Sequence, residues 1–567
     1  MSEKHKNEAG VPAKKTTLAP QAPEKAAEVA PKKKTAAKPA AKAPAKAAPV
    51  KETAKKAVPA KAAPVKEIAK KEAPKEKAPV KKAPAAPPVR LLFAASEAVP
   101  FVKTGGLADV AGTLPVALAK LGVDARVILP KYRDIPYEWK AQMQHLAHFY
   151  VPLGWRSQYC GIQYIKHEGV TFYFVDNEFY FARDSIYGDG PEEGERFAFF
   201  CRAVLEALPY INFFPDVLHC NDWQTGMIPV LLRLQYQHNP QYTPIRTLYT
   251  IHNLKFQGMF NYQQIDDLLG IGTRYFTPEF LEFYGDISFM KGGLVFADHI
   301  STVSPTYAHE IQTPYYGERM DGLLKKRADT FSGILNGIDY DIWNPETDTQ
   351  IEANYTPDNL AGKAACKARL QRELGLVEDE SAMVIAMVSR LTEQKGLSLI
   401  EHVLHEIMQL PVQLVVVGQG DAHYGEMLTW AQWRYQGQVA ARFEHNAWLA
   451  RTAYAGADIF LMPSRFEPCG LSQLIALRYG TVPLVRETGG LVDTVIPYNK
   501  YTDEGTGFSF ANYNAHEMLY TIERAQKYFL DKKLWARLVK RGMREQFDWG
   551  ISARQYLQLY NSLLGRL

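Results

Sequence analysis

Cysteine is scarce in this 567-residue chain: Cys160, Cys201, Cys220, Cys366 and Cys469 are odd in number, widely spaced and free of any C-x-x-C pair. That excludes a disulfide-stapled module and a zinc ribbon, and it fits a reducing compartment. Long apolar runs are also missing. None approaches the ~18 residues of a membrane span, and the positively charged N-terminus has no apolar stretch behind it to serve as a secretion signal. The expectation is a soluble, cytoplasmic protein with no membrane span.

Aromatic residues are absent from 1–89, which also hold a single glycine, 14 prolines and no arginine. What the segment does have is 22 lysines against eight glutamates, a net of +14, in repeated phrases such as Lys61-Ala62-Ala63-Pro64-Val65-Lys66. Proline recurs too often for a long helix, and burying alanine cannot offset the cost of ordering the chain. Residues 1–88 are therefore expected to be a disordered basic tail, either a nonspecific polyanion binder acting through solvated lysine or an inert solubilising linker. Residues 90–567 carry 44 basic and 53 acidic side chains, a net of −9, so the overall +5 describes neither part. Their length suits two large domains rather than one core.

At residue 89 the character changes. Residues 89–95 read as a buried strand, a helix follows Lys103-Thr104-Gly105-Gly106 as far as Leu121, and 125–129 read as the next strand, so a β-α-β unit opens the folded part. The pattern recurs downstream: an apolar strand at 383–388, a polar loop at 392–396, a helix over 397–408 and a strand at 413–417. Strands at 459–462 and 482–485, each with a loop and a helix, extend it. Two doubly wound α/β domains are implied, with ligands beyond the strand C-termini and a cleft between the domains as the expected site. A hinge is expected between Asn336-Gly337 and about Leu376.

Five phrases at strand ends bear chemistry. Lys103-Thr104-Gly105-Gly106 offers backbone N–H groups and a helix dipole to an anion, but it lacks the spacing of a P-loop or a dinucleotide fingerprint. Arg390 and Lys395 share one strand-to-helix loop, where paired cations read either as holders of an external anion that bridges them or as part of a solvated loop. Within Ser464-Arg465-Phe466-Glu467-Pro468-Cys469-Gly470-Leu471, Glu467 reads either as an acceptor for sugar hydroxyls or as a helix cap, and Cys469 as a small buried filler. His219-Cys220-Asn221-Asp222-Trp223 and Tyr249-Thr250-Ile251-His252-Asn253 bring polar groups to one sheet edge, with no metal-ligand spacing. Asp339-Tyr340-Asp341 is weighted as a turn above a metal pair.

Assembled in order, and joined by Asn336-Gly337-Ile338-Asp339 and Thr488-Gly489-Gly490-Leu491, these phrases resemble the bacterial glycogen synthase and plant starch synthase family. Its members are retaining glycosyltransferases of the two-domain GT-B fold, usually using ADP-glucose. The resemblance covers about 89–567. It implies an N-terminal acceptor-side domain (89–345), a nucleotide-sugar domain (346–550) and a C-terminal helix (551–567) crossing back to the first domain.

The activity implied is glucose transfer from ADP-glucose to the non-reducing end of an α-1,4-glucan such as glycogen, with no metal or other cofactor. By the same resemblance, Arg390 and Lys395 hold the diphosphate, Asp222, His252 and Glu467 border the transferred glucose, and Lys103, Gly105 and Gly106 face the donor. Asn253, Cys469, Gly470, Leu471 and Ser472 complete the substrate site. Asn221 stands where the family often has His, Ser472 where Thr is usual, and His445 where some members place Tyr near the base. The E-x7-E pattern of other retaining GT-B enzymes is absent, since Ile475 follows Glu467 at eight positions. A noncatalytic glucan-binding or scaffolding protein on the same fold is the alternative, and a sugar-nucleotide epimerase is a third reading.

Overall fold

The structure is a computed structural model and describes residues 87–444 and 446–566. Residues 1–86, which hold nearly all of the expected tail, lie outside the described residues, as do His445 and Leu567. The first half is built on β1 (Arg90–Ala94), β2 (Asp124–Pro130), β3 (Gln144–Leu153), β4 (Arg156–His167), β5 (Val170–Asp176), β6 (Val217–Asn221) and β7 (Arg246–Ile251). A small antiparallel ribbon of β8 (Met259–Phe260), β9 (Glu282–Phe283) and β10 (Asp286–Ser288) precedes β11 (His299–Thr302) and β12 (Phe331–Gly333). The large sheet runs β12-β11-β7-β6-β1-β2-β5-β4-β3. It is parallel from β12 to β5, and β4 and β3 add an antiparallel hairpin at its edge.

The second sheet holds β13 (Met383–Val388), β14 (Val412–Val417), β15 (Val439–Arg442), β16 (Ile459–Met462), β17 (Val482–Arg486) and β18 (Phe508–Phe510) in the order β15-β14-β13-β16-β17-β18, all parallel. Central strands such as β14 are buried along their whole length, which is why they read as unbroken apolar runs rather than as alternations. The helix expected over 397–408 divides into Leu397–His402 and Leu404–Ile407. The break falls at Val403, a β-branched, fully buried residue whose φ of −121° leaves the helical region.

Strand order fixes where the winding of each sheet reverses, the point at which open α/β sheets take their ligands. In the first sheet, β2 and β5 lie on one side of β1 and β6, β7, β11 and β12 on the other; in the second, β14 and β15 lie on one side of β13 and β16 to β18 on the other. The crevice where the winding reverses is open at the strand C-termini, because successive connections leave in opposite directions. The loops after β1 and β6, and those after β13 and β16, flank these two points.

The chain crosses between the lobes twice, side by side. Ile338 N–H donates to the Phe547 carbonyl (2.8 Å), and the Tyr340 hydroxyl donates to Glu545 O (3.1 Å) while accepting from Phe547 N–H (2.9 Å). Asp339 accepts from the Asp341 and Ile342 N–H groups, so this Asp pair shapes a turn. Beyond the second crossing, the helix Trp549–Leu563 packs on the first lobe, burying Trp549, Ala553, Tyr556 and Tyr560 in its core. All five cysteines are buried and unpaired. Among the described residues no helix is long and apolar enough to cross a membrane.

Candidate active site

In the first lobe the loop after β1 enters the helix Gly106–Lys120 without a side-chain cap. Its N–H groups are taken by Glu97: one carboxylate oxygen accepts from Thr104 N (2.5 Å), Thr104 Oγ1 (2.9 Å) and Gly105 N (3.3 Å). Burial pushes the Glu97 carboxyl up, against the pull of these bonds. Lys103, partly exposed, pairs with Asp109 one turn into the helix, Nζ to Oδ1 2.7 Å. Burial also raises Asp109, and Lys103 opposes the rise.

Asp222 follows β6 with φ +54° and ψ −179°, a backbone region that costs ~1–3 kcal/mol unless its surroundings hold it. The neighbouring strand end does so, since Oδ1 accepts from His252 N (2.7 Å) and Asn253 N (3.3 Å). Burial lifts the Asp222 carboxyl to about 7, opposed by those two N–H bonds and reinforced by Glu97. The His252 ring is held by Asn221 through Nε2 and Oδ1 (2.9 Å), and burial drops it to about 3, so the imidazole is neutral. Asn221, the departure from the usual His, also donates to Ala94 O (3.0 Å) and ties β6 to β1. His219 is wholly buried between the Tyr560 hydroxyl (2.9 Å) and Thr250 Oγ1 (2.6 Å), and anchors the C-terminal helix to the sheet.

In the second lobe, Lys395 closes the 3-10 turn Glu393–Lys395 and Glu467 lies in the loop after β16. The ammonium bonds both carboxylate oxygens, at 3.0 and 2.8 Å, and Ser464 Oγ donates to the same carboxylate at 2.9 Å. The helix-cap reading of Glu467 is therefore wrong: the helix Ser472–Arg478 has Leu471 at its N-cap and no side-chain cap bond. Arg390 is exposed, and among the described residues its guanidinium has no side-chain partner. Two glycines seat these loops. A Cβ on Gly396 (φ +80°) would lie 2.1 Å from Pro463 O, and one on Gly489 (φ +46°) 2.0 Å from Glu467 O, approaches that no other residue permits. Gln473 Nε2 donates to the Cys469 and Gly470 carbonyls, both at 3.0 Å. The Cys469 thiol is pushed up to about 12 by burial, as suits a filler.

The two halves meet. A Cβ on Gly106 would sit 3.8 Å from Leu471 Cδ1, and the Tyr454 hydroxyl, raised to about 12 by burial, feels the charge of Asp109. Thr306 bonds Asp493, Thr488 bonds Glu310 and Arg486 bonds Tyr316 across the same interface. Beside these loops a cavity of about 260 Å³ opens between the lobes, where Lys255, Tyr307, Tyr315 and Tyr316 face Arg465 and Phe466.

Asp222, His252 and Asn253 thus form one cluster, Lys395 and Glu467 a second, and Gly106 faces Leu471 while Gly105 lies against Glu97. Lys103 turns to Asp109, and Arg390 stands apart with its charge exposed. Sequence reasoning missed Glu97; the signal available was an acidic residue three positions after a largely apolar strand. The inter-lobe tyrosines carried none. Among the described residues no cluster of three or more His, Cys, Asp or Glu side chains has metal-binding geometry.

Two doubly wound lobes, with their reversal points facing one cleft and cations at one of them, define a GT-B glycosyltransferase. Residues 90–326 match the family described as "Starch synthase catalytic domain" and 372–543 that described as "Glycosyl transferases group 1". The catalytic domain of starch synthase IV from Arabidopsis thaliana, solved with ADP and acarbose, superposes with a TM-score of 0.79 at 32% identity, over 84% of this chain and 100% of that one. Sucrose-phosphate synthase from Thermosynechococcus elongatus, at 19% identity and a TM-score of 0.55, shares the fold. The glycogen synthases of Geobacillus thermodenitrificans and Bacillus cereus (strain ATCC 14579) are 55% and 53% identical over 476 residues, which is 84% of this chain and 98% and 100% of theirs. The chain belongs to the glycogen synthase and starch synthase family.

Proposed function

We propose that this enzyme transfers glucose from ADP-glucose to the non-reducing end of an α-1,4-glucan with retention of configuration. The observation that carries the reading is the meeting of the Gly105-Gly106 turn with Leu471 across the cleft, beside the loop that holds Arg390 and Lys395. As the bond from glucose C1 to the β-phosphate oxygen breaks, negative charge grows on the leaving diphosphate and positive charge on the ring. Arg390 and Lys395 meet the first, where positive charge supplied by the protein offsets the charge that the leaving group gains. Lys103 joins them once it leaves Asp109. The Asp222 and Glu467 carboxylates border the second.

Neither carboxylate is assigned the nucleophile's role in this reading. The same Asp222 oxygen accepts two backbone N–H bonds, and Glu467 is engaged by Lys395 and Ser464. A front-face step fits this arrangement: the acceptor 4-hydroxyl oxygen bonds to C1 on the side the diphosphate leaves, and its proton passes to the departing phosphate oxygen. Neutral His252 is a hydrogen-bonding partner for a sugar hydroxyl. The aromatic cavity beside Phe466 is assigned to the acceptor chain, whose apolar sugar faces suit tyrosine rings.

ADP release from ADP-glucose is expected only with glycogen present, with less from UDP- or GDP-glucose, and at a rate nearly unchanged by EDTA because protein cations serve the diphosphate. Turnover without acceptor would favour an epimerase, no turnover a scaffold, and collapse in EDTA would overturn the metal-free reading. A pH profile tests Asp222. Its carboxyl ionises near 7 in the folded protein, so kcat/KM is expected to rise with pH through that region if the charged form serves the sugar cation. Asp222→Asn should lower the plateau and abolish that limb; an unchanged profile would remove Asp222 from the reaction. The sign for stability is opposite. A carboxyl raised from 3.8 to about 7 favours folding below its unfolded pKa, and this contribution is lost as pH rises through the folded value.

The basic segment is proposed as dispensable for catalysis and as a weak polyanion binder. Each phosphate neutralised contributes about −0.9 to the slope of log K against log salt, so five contacts would weaken duplex DNA binding several-hundred-fold between ~50 and ~200 mM salt. A chain starting at Pro88 should keep kcat and lose that retention. Equal, salt-insensitive retention by both chains would dismiss the polyanion role.

A further inference from the structure

Far from the cleft, the helix Ala422–Arg434 of the second lobe turns Tyr424, Leu428 and Ala431 inward and leaves two indoles outside. Trp430 is 51% and Trp433 69% exposed, three residues apart on one face. Single exposed aromatics are ordinary, but neighbouring ones bordered by polar groups make the kind of patch that marks an interaction site. The helix starts beside the Arg390 loop, where Asp421 N–H bonds Leu391 O at 2.8 Å. At ~1.5 Å per residue the indoles lie about 14 and 18 Å along the helix from that point, toward the opposite end of the sheet from the reaction.

At their foot is a surface depression of about 510 Å³ lined by Trp433, Arg434, Tyr435, Gln436 and Gln438. Its floor is rigid. The Tyr435 ring meets Trp430 edge to face at 6.2 Å, its hydroxyl is held by His405 at 2.9 Å, and the Arg434 guanidinium covers it at 5.1 Å. No carboxylate lines it. Indole faces for sugar C–H groups, with amides and a guanidinium for hydroxyls, complement a neutral polyhydroxylated chain, and Arg434, the one charged group of the lining, is stacked on Tyr435.

We infer that Trp430 and Trp433 form a second, noncatalytic docking surface for α-glucan on the outer face of the nucleotide-sugar lobe. The inference rests on the proposed acceptor. A branched polymer presents many chains at once, so holding one chain here raises the effective concentration of its other ends at the cleft. A short oligosaccharide has no second chain to hold and gains nothing.

The test is Trp430→Ala/Trp433→Ala in the full chain, with Trp430→Phe/Trp433→Phe as the aromatic control. The KM for glycogen is expected to rise about ten-fold, with kcat and the KM for maltotriose unchanged, and the Phe pair should recover most of the loss. Affinity electrophoresis in glycogen without donor should show the same order, and it reads docking even if the donor assignment is wrong. Equal mobility of wild type and the Ala pair in glycogen, or parallel shifts in KM for glycogen and maltotriose, would overturn the inference. So would a wild-type dimer that the Ala pair dissociates in sedimentation, because the face would then bind a second copy of this chain.

Discussion

Arg390→Ala is expected to lower kcat by about 10² or more while leaving unfolding stability within about 0.5 kcal/mol of wild type. The separation follows from what the side chain does in the resting enzyme. Arg390 stands exposed in the loop after β13 and, among the described residues, engages no other side chain, so the fold loses nothing when it is cut back. Its charge has a use only when a diphosphate arrives, and most of all when that diphosphate leaves. An interaction made chiefly in the transition state appears in kcat and in kcat/KM together. Arg390→Lys keeps a positive charge without the planar fork and should recover only part of the rate. Steady-state rates with ADP-glucose and glycogen, beside urea unfolding, check both halves. Near wild-type kcat would remove Arg390 from the diphosphate site, and a large stability loss would mean that the guanidinium has a structural partner.

The position of Arg390 in an exposed strand-to-helix loop was legible in the sequence, because that position is a local matter. Local patterns report local geometry. Continuous apolar runs at 383–388 and 459–462 announced β13 and β16 at their observed positions, and the glycines at 105, 106, 396 and 489 marked turns. Strand order then brought those turns to the two reversal points, although order itself is not written in any one strand. Pairings between distant segments were beyond the sequence's reach. Glu467 looked like a cap because it stands before a helix, whereas its partner Lys395 is 72 positions away. Glu97 was overlooked because its role is defined by N–H groups seven and eight residues on, after the chain has turned back over the strand end. The β3–β4 hairpin escaped notice because β3 is exposed along most of its first half and has no buried apolar run.

Lys395 and Glu467 are expected to behave as a unit in which stability and rate respond differently to the same substitutions. The pair is largely removed from water, with side-chain exposures of 17% and 8%, and the carboxylate is satisfied by the ammonium and Ser464. Lys395→Ala therefore leaves a buried carboxylate with one hydroxyl for company, and breaking such a pair from one side costs about 3 kcal/mol. It also strips the diphosphate of a cation, so kcat should fall by about 10² or more. Glu467→Gln keeps the shape and removes the charge. The ammonium then faces an amide, which costs less stability, yet Lys395 loses the group that aims it and the rate should again fall by about 10². In the double variant the uncompensated charge is gone from both sides. Unfolding stability should return part of the way from the Lys395→Ala value, giving a coupling of about 1–3 kcal/mol, whereas kcat should stay at the level of the worse single variant, since a unit already disabled cannot be disabled twice. Urea unfolding of the four proteins and single-turnover rates with ADP-glucose and glycogen complete the cycle. Additive stability changes would show that the ion pair does not persist in solution. Wild-type kcat in Glu467→Gln, with only a lower unfolding midpoint, would reduce Glu467 to a structural anchor and leave the ring charge to Asp222.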